Sequence, residues 1–264
     1  MKSGRQASVV RRIAARMRAD VLKRKPGEFI SSEADMVARY GVSRPTFRQA
    51  ASLLEQEQLL VMKRGVGGGY FAARPTSAVV AHTASIYLQT KNTSLEEIFA
   101  AVVPVRVELA RLACLGDSET LREELAAYVG RETRLARKPP AETVDIRRYK
   151  EFLKSELDFA RTMEHLAGNN VLSLFLDMLY DFCAQLPKTE DLYRDRADRI
   201  RAHRALRLKV AQAILDRDPD LAALRMQQMG AAITGWLKES LAGRGRRRRA
   251  ASIAQIILPP VRAG

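Results

Sequence analysis

The sequence predicts a mainly α-helical chain in two parts: a small helical head closed by one β-hairpin, then an antiparallel bundle of about seven helices. Three observations predict it. Apolar residues recur at three- and four-residue steps along most of the chain, the period of one helix face. One tract breaks that pattern: Leu59-Leu60-Val61-Met62 and Tyr70-Phe71-Ala72 flank Lys63-Arg64-Gly65-Val66-Gly67-Gly68-Gly69, two apolar runs around a glycine-rich tip. Charge is segregated as well, for of a net +15 over 264 residues, residues 1–77 carry +9, residues 78–242 balance at 24 of each sign, and residues 243–264 carry +6. A basic head on a neutral body is the footprint of a nucleic-acid binder.

The first helix is expected from Ala7 to Arg24, with Val10, Ile13, Met17 and Val21 on one face and arginines opposite, and Pro26-Gly27 stops it. Ser31-Ser32-Glu33-Ala34-Asp35 then offers a hydroxyl cap and acids for a helix N-terminus. That short helix, Glu33 to Tyr40, breaks at Gly41. Val42-Ser43-Arg44-Pro45 opens a third, with Ser43 as cap and Pro45 in the first turn, where proline is tolerated. Phe47, Ala50, Ala51 and Leu54 face inward, leaving Arg44, Thr46, Arg48 and Gln49 elsewhere. Two short helices joined through a glycine turn make a helix-turn-helix, whose second helix enters the major groove N-terminus first. Arginine there can grip a guanine and threonine can reach a phosphate or a thymine methyl. The glycine tract reads as a wing, with Lys63 and Arg64 supplying charge; it lacks the Lys-Ser/Thr ending of a nucleotide phosphate loop.

These residues, from Arg12 to Pro75, resemble the GntR family of bacterial regulators in the order and spacing of their parts. The resemblance implies DNA contacts at Arg44, Thr46 and Arg48, a phosphate-facing Ser32, and Gly67 at the wing tip. With Ser43, Lys63 and Arg64 they form the expected DNA-binding set. Three departures affect the operator expected more than DNA binding itself. Ser31-Ser32-Glu33-Ala34 stands where the family has Pro-Ser-Glu-Arg, so a customary arginine is missing. Pro45-Thr46 inverts the usual Thr-Pro. Gln58 replaces the glycine that ordinarily ends the recognition helix, forcing another cap or a costlier backbone.

Past a linker at residues 75–77, the head being residues 1–74, everything to residue 242 reads as helix. The segments expected are Ala78–Gln89, Leu95–Leu115, Ser118–Lys138, Asp145–Ala167, Val171–Leu186, Arg194–Asp216 and Pro219–Ala242. Their breaks are Asn92-Thr93-Ser94, Gly116-Asp117, Pro139-Pro140, Gly168-Asn169-Asn170, Pro187 and Asp218-Pro219. Leu174, Met178, Tyr180 and Trp236 are expected in the core or a dimer interface.

Glu156 to Leu172 and His203 to Met229 resemble the FCD ligand-binding domain of the FadR subfamily. Many such domains hold a divalent metal on one aspartate and three histidines. By that resemblance Glu156 takes the aspartate position and Ala160, His203 and Met229 the histidine positions, so no metal is expected. His82 and His165 fall outside ligand register. Val102 stands where a carboxylate-gripping arginine is common, and Arg106 lies one turn on. The effector pocket so implied is Val102, Arg106, Glu156, Ala160, His203 and Met229, taking a hydrophobic or acyl effector, unless the bundle is simply a filled core. His203 serves either an effector or the structure. No cofactor is expected.

The family resemblance implies a homodimer on a palindromic operator, acting as a repressor relieved by ligand more often than as an activator. No triad, dyad or cofactor fingerprint supports an enzyme. A helical RNA-binding or membrane-surface protein would explain the charge but not the wing, and the head offers few aromatics for stacking on RNA. Cys114 and Cys183, far apart in apolar stripes, are expected to be free thiols. The sequence shows no signal-peptide pattern and no membrane-length apolar run, which suits a cytoplasmic protein. The tail from Gly243 is either a solvated basic run or an added phosphate attractor, and Ser252 to Pro260 either a strand or a helix.

Overall fold

The computed structural model describes residues 2–136, 146–185, 192–193 and 196–247, with side chains over 6–136, 146–182, 192–193 and 196–240. The chain divides after Thr76 into two compact units. The chain is mostly helical, with the small sheet and helical body that the apolar periods predict.

In the first unit, α1 (Lys2–Leu22) packs its apolar stripe on α3 (Arg44–Gln56), with α2 (Glu33–Tyr40) completing the helical part. Val10, Ile13, Met17, Met36, Phe47, Leu54 and Tyr70 close one core. Burying a side chain such as Phe47, fully enclosed here, contributes about 1.5–3 kcal/mol. Ser32 caps α2 by accepting from the Asp35 N–H at 3.2 Å, and Gly41 ends it in the left-handed conformation. Arg18 grips Glu57 through Nε at 2.8 Å and Nη2, tying α1 to the end of α3. Arg74 caps the end of α1, donating to the carbonyls of Leu22 at 2.9 Å and Arg24 at 2.6 Å. That basic residue of the head therefore serves the fold.

The expected hairpin, β2 (Leu60–Lys63) and β3 (Gly69–Ala72), forms in antiparallel register with Lys63 opposite Gly69. A third strand, β1 (Phe29–Ser31), pairs with the other edge of β3, giving the order β1-β3-β2. Three residues are too few to display a strand period, so the sequence does not announce it. Gln58 sits at φ 55. The left-handed backbone that a glycine would accept freely costs this residue about 1–2 kcal/mol. The amide of Leu59, donating to Leu54 O at 2.8 Å, closes the helix behind it.

The second unit is an antiparallel helical bundle comprising, among the described residues, α4 (Ser77–Thr90), α5 (Leu95–Leu115), α6 (Glu119–Ala136), α7 (Ile146–Ala167), α8 (Asn170–Gln185), α9 (Ala197–Leu215) and α10 (Pro219–Arg247). A reciprocal Ser94–Glu97 capping box starts α5. This helix packs against α7, α8, α9 and α10 and forms the axis of the core. Close approaches rely on missing side chains. A Cβ on Gly230 would lie 2.8 Å from both Val103 methyl carbons, and one on Gly116 would lie 2.1 Å from the Leu166 carbonyl oxygen. The last helix extends to Arg247, past the Ala242 end expected from apolar spacing. The Pro139-Pro140 and Pro187 breaks and the tail beyond residue 247, Ser252 to Pro260 included, lie outside the described residues, as does the Cys183 side chain. Cys114 is a buried free thiol. No described helix is long and apolar enough to cross a membrane.

Candidate nucleic-acid interface and buried charged cluster

The first turns of α3 bring the expected reading residues to one exposed end. Ser43 is the N-cap; its Oγ accepts from the Thr46 N–H at 3.4 Å and lies 2.9 Å from Thr46 Oγ1. Arg44 is exposed and, among the described residues, pairs with no carboxylate. Arg48 is exposed too but is bound by Glu33, its Nε donating to Oε1 at 3.0 Å and Oε2 at 3.2 Å. The Ser32 hydroxyl, expected to face phosphate, is committed to its own helix: it donates to Asp35 Oδ2 at 2.7 Å while capping the Asp35 amide.

The wing tip is open backbone. Gly65 and Gly67 have φ 95 and φ 75, and a Cβ on Gly68 would lie 2.5 Å from the Lys63 carbonyl oxygen, so the turn closes only without side chains there. Val66, Arg64 and Gly67 are exposed at this tip. Lys63 lies over the Phe71 ring at 4.4 Å, which fixes one end of its side chain on the hairpin.

In the body, three pairs of residues one turn apart, Val102/Arg106 on α5, Glu156/Ala160 on α7 and His203/Arg207 on α9, are buried or nearly so. Arg106 Nη2 donates to Glu156 Oε1 at 3.1 Å and Arg207 Nη1 to Glu156 Oε2 at 2.8 Å. His203 Nδ1 stands 3.6 Å from the same Oε2. Arg207 continues to Glu132 Oε2 at 3.2 Å and Ser155 Oγ at 2.8 Å, and Arg204 Nε lies 3.3 Å from Glu132 Oε2. Phe152, Tyr193 and His203 pack ring on ring, with Trp236 edge-on to Tyr193 at 6.1 Å. Val102 and Met229 belong to the adjoining apolar core.

Arg207, Arg204, Glu132 and Ser155 were not among the expected pocket residues. For Arg207 a signal was available, because it occupies an apolar-stripe position of α9. The cluster so assembled holds three guanidiniums, of Arg106, Arg204 and Arg207, and two carboxylates, of Glu132 and Glu156.

These residues do not suit a divalent metal. Ala160 and Met229 offer no hard donor at two of the four positions, and both Glu156 oxygens are already held by guanidiniums whose charge would repel a cation. Among the described residues no group of three or more His, Cys, Asp or Glu could hold a metal. His82 and His165 are exposed and away from the cluster.

Burial pushes the His203 imidazole down to about 4, and the Arg207, Arg106 and Arg204 charges add to that against the pull of Glu156. Burial alone would raise the Glu156 carboxyl, but the positive charge around it, from Arg106 and Arg207 among others, holds it well below the usual carboxylate range. Both groups act in one direction. The native state keeps His203 neutral, so the unfolded chain binds the extra proton between pH ~6.5 and ~4, and stability present above that window is lost as pH falls through it. Unfolding free energies from urea titrations at pH 7 and pH 5 are expected to differ by about 2 kcal/mol in the wild type from this group. His203→Gln should remove that difference; an unchanged pH slope in the variant would assign it elsewhere.

The sequence matches two family models, "Bacterial regulatory proteins, gntR family" over residues 9–68 and "FCD domain" over residues 97–232. Among solved structures, a GntR protein of Streptococcus agalactiae is 15% identical with a TM-score of 0.64, the match covering 85% of this chain and 98% of that one. A GntR family member from Pseudomonas syringae pv. tomato is 13% identical with a TM-score of 0.38, covering 91% and 89%. Escherichia coli McbR/YncC is 11% identical at 0.40, covering 89% and 98%. The first of these shows the fold. No curated protein matches the sequence.

Proposed function

Because the chain belongs to the gntR family of bacterial regulatory proteins, with an FCD domain as its body, we propose that it is a ligand-responsive repressor that binds a palindromic operator as a homodimer. It is a transcription regulator, not an enzyme. One observation carries the DNA-reading part: Arg44, Thr46 and Arg48 lie together in the first turns of α3, in a head of net charge +9 whose glycine-rich wing tip exposes Arg64. Two such heads would place two recognition helices in successive major grooves. Exposed apolar side chains on the paired helices α4 and α8, namely Val79, Val80, Ile86 and Tyr87 with Val171 and Phe175, support association of the bodies with a second copy.

The effector site we propose is the cluster of Val102, Arg106, Glu156, Ala160, His203 and Met229. Its apolar members, Val102, Ala160 and Met229, suit the body of a hydrophobic or acyl effector, while its one guanidinium, Arg106, is paired with Glu156. Ligand binding regulates DNA affinity to the extent that the effector's contacts differ between the two states.

The test is binding to the promoter DNA beside the protein's own gene, wild type against Arg44→Ala/Arg48→Ala. A guanidinium bidentate to guanine contributes about 1–3 kcal/mol of discrimination. The double variant is therefore expected to lose operator affinity by at least about thirtyfold. Binding that is sequence-blind and indifferent to both arginines would sink the regulator's reading helix.

A further inference from the structure

We propose that Glu33 is a positioning residue for base reading: it holds Arg48 side-on, so that Arg48 presents its free edge to a guanine. The proposal rests on the DNA-reading assignment of α3 and adds to it the residue that aims the reader.

Glu33 is the first residue of α2, directly after the Ser32 cap, so its backbone is fixed by the turn that starts the helix. Its side chain is 30% exposed, against 67% for Arg48. Glu33 is thus the anchored partner and Arg48 the presented one. The contacts fall on one edge of the guanidinium. Nε donates to both carboxylate oxygens, at 3.0 and 3.2 Å, and Nη2 lies 2.9 Å from Oε1. A guanidinium has five N–H donors in a rigid planar fork. Occupying the Nε–Nη2 edge leaves the outer Nη1–Nη2 edge uncommitted, and that edge has the two parallel donors that match O6 and N7 of guanine.

Stability is a poor explanation of this pair. An exposed ion pair adds little to a fold, because water screens it and two long side chains lose freedom to make it. The charge balance also argues against simple phosphate attraction, since a carboxylate in the DNA-facing surface weakens contact with every phosphate nearby. What it can supply is discrimination. A free arginine reaches any phosphate within range, whereas one held by its inner edge is confined to one direction and delivers less of its charge to the backbone. Arg44, four residues earlier on the same helix and unpaired among the described residues, is the internal contrast.

The full-length wild-type chain first selects a preferred duplex from a random pool. Wild type, Arg48→Ala, Arg44→Ala and Glu33→Gln are then measured on it, on duplexes changed one base pair at a time, and on an unrelated duplex. Arg48→Ala is expected to abolish discrimination at one G·C pair in each half-site. Glu33→Gln should lower discrimination at that same pair by about tenfold, while Arg44→Ala leaves it intact. Binding of Glu33→Gln to unrelated duplex should rise, its salt dependence steepening by about one phosphate. Glu33→Asp keeps the charge but falls one methylene short, and should lose discrimination without gaining nonspecific affinity. Thermal melting of each variant establishes that it folds. If Glu33→Gln and Glu33→Asp retain full discrimination at the pair Arg48 reads, the proposal is overturned, whatever overall affinity does. If Arg48→Ala changes no position at all, the base-reading assignment of Arg48 falls along with it.

Discussion

Replacing Arg207 with methionine is expected to destabilise the body by about 3–5 kcal/mol, the cost typical of breaking a buried ion pair from one side. The side chain is fully enclosed. It is the cation shared by Glu156 and Glu132, at 2.8 and 3.2 Å, and its Cζ lies 5.5 Å from the Tyr128 ring centroid and 5.7 Å from that of Phe152. Methionine fills much of the same volume but leaves two buried carboxylates short of counter-charge. Arg106 and Arg204 remain for them, which favours the lower end of that range. Lysine should rescue poorly, because a single ammonium cannot span both carboxylates and Ser155 with the geometry of a planar fork. Adding Glu132→Gln to Arg207→Met should recover part of the loss, since it removes one stranded charge. Urea denaturation of wild type, both single variants and the double variant measures the coupling. A single-variant cost below about 1 kcal/mol would mean that water reaches the carboxylates and that the network is not what holds the bundle centre.

The parts of this molecule that were legible beforehand were those that local chemistry decides. Ser32, Ser43 and Gly41 mark helix ends because a cap needs a hydroxyl acceptor or a backbone that accepts positive φ, and both needs are written in single residues. The glycine tip of the wing announced itself for the same reason. Gln58 was legible as a conflict, and its φ of 55 shows the helix ending where a glycine was wanted, at the expense of backbone strain. What escaped depends on distant partners. Glu33 and Arg48 are 15 positions apart, Arg74 meets carbonyls about 50 positions earlier, and Arg207 joins α9 to α6 and α7. An arginine counts as solvated surface in any local reading because its charge rarely survives burial without a partner. Its place in a stripe is the available clue. Ile200, His203, Arg207, Val210 and Ile214 recur at three- and four-residue steps on α9, and all five are buried. A charge at the centre of such a stripe must find an opposite charge on a facing helix, and a search for lone acids on other stripes would have brought Glu132 forward beside Glu156.

Arg122 should respond as strongly as Arg207, for a different reason. The C-terminal ends of α5 and α9 converge on this one guanidinium, which is buried on α6. Its Nη2 donates to the carbonyls of Cys114 at 2.8 Å and Gly116 at 2.6 Å, its Nη1 to Ile214 at 3.1 Å, and its Nε to Gly116 at 3.2 Å. The last four carbonyls of any helix lack partners within it, and each C-terminus carries roughly half a negative charge. A single cation therefore serves carbonyls at both ends, of which that of Ile214 also accepts from the Arg217 N–H at 3.2 Å. Arg122→Ala is expected to cost about 3–5 kcal/mol, since each buried carbonyl left unpaired contributes about 1–3 kcal/mol and partial relaxation recovers some of it. Arg122→Lys should recover a fraction, having three donors but no fork to reach both helices at once. Chemical denaturation gives the total, and amide hydrogen exchange locates it: protection should fall first in the last turns of α5 and α9 and little in α7 or α8. Exchange that rises uniformly across the body would indicate ordinary loss of packing. A cost under about 1 kcal/mol would show that solvent already serves those carbonyls. The expected pattern instead makes Arg122 the residue that lets two helix ends be buried side by side, so that α5 can run through the centre of the bundle and carry Arg106 to Glu156.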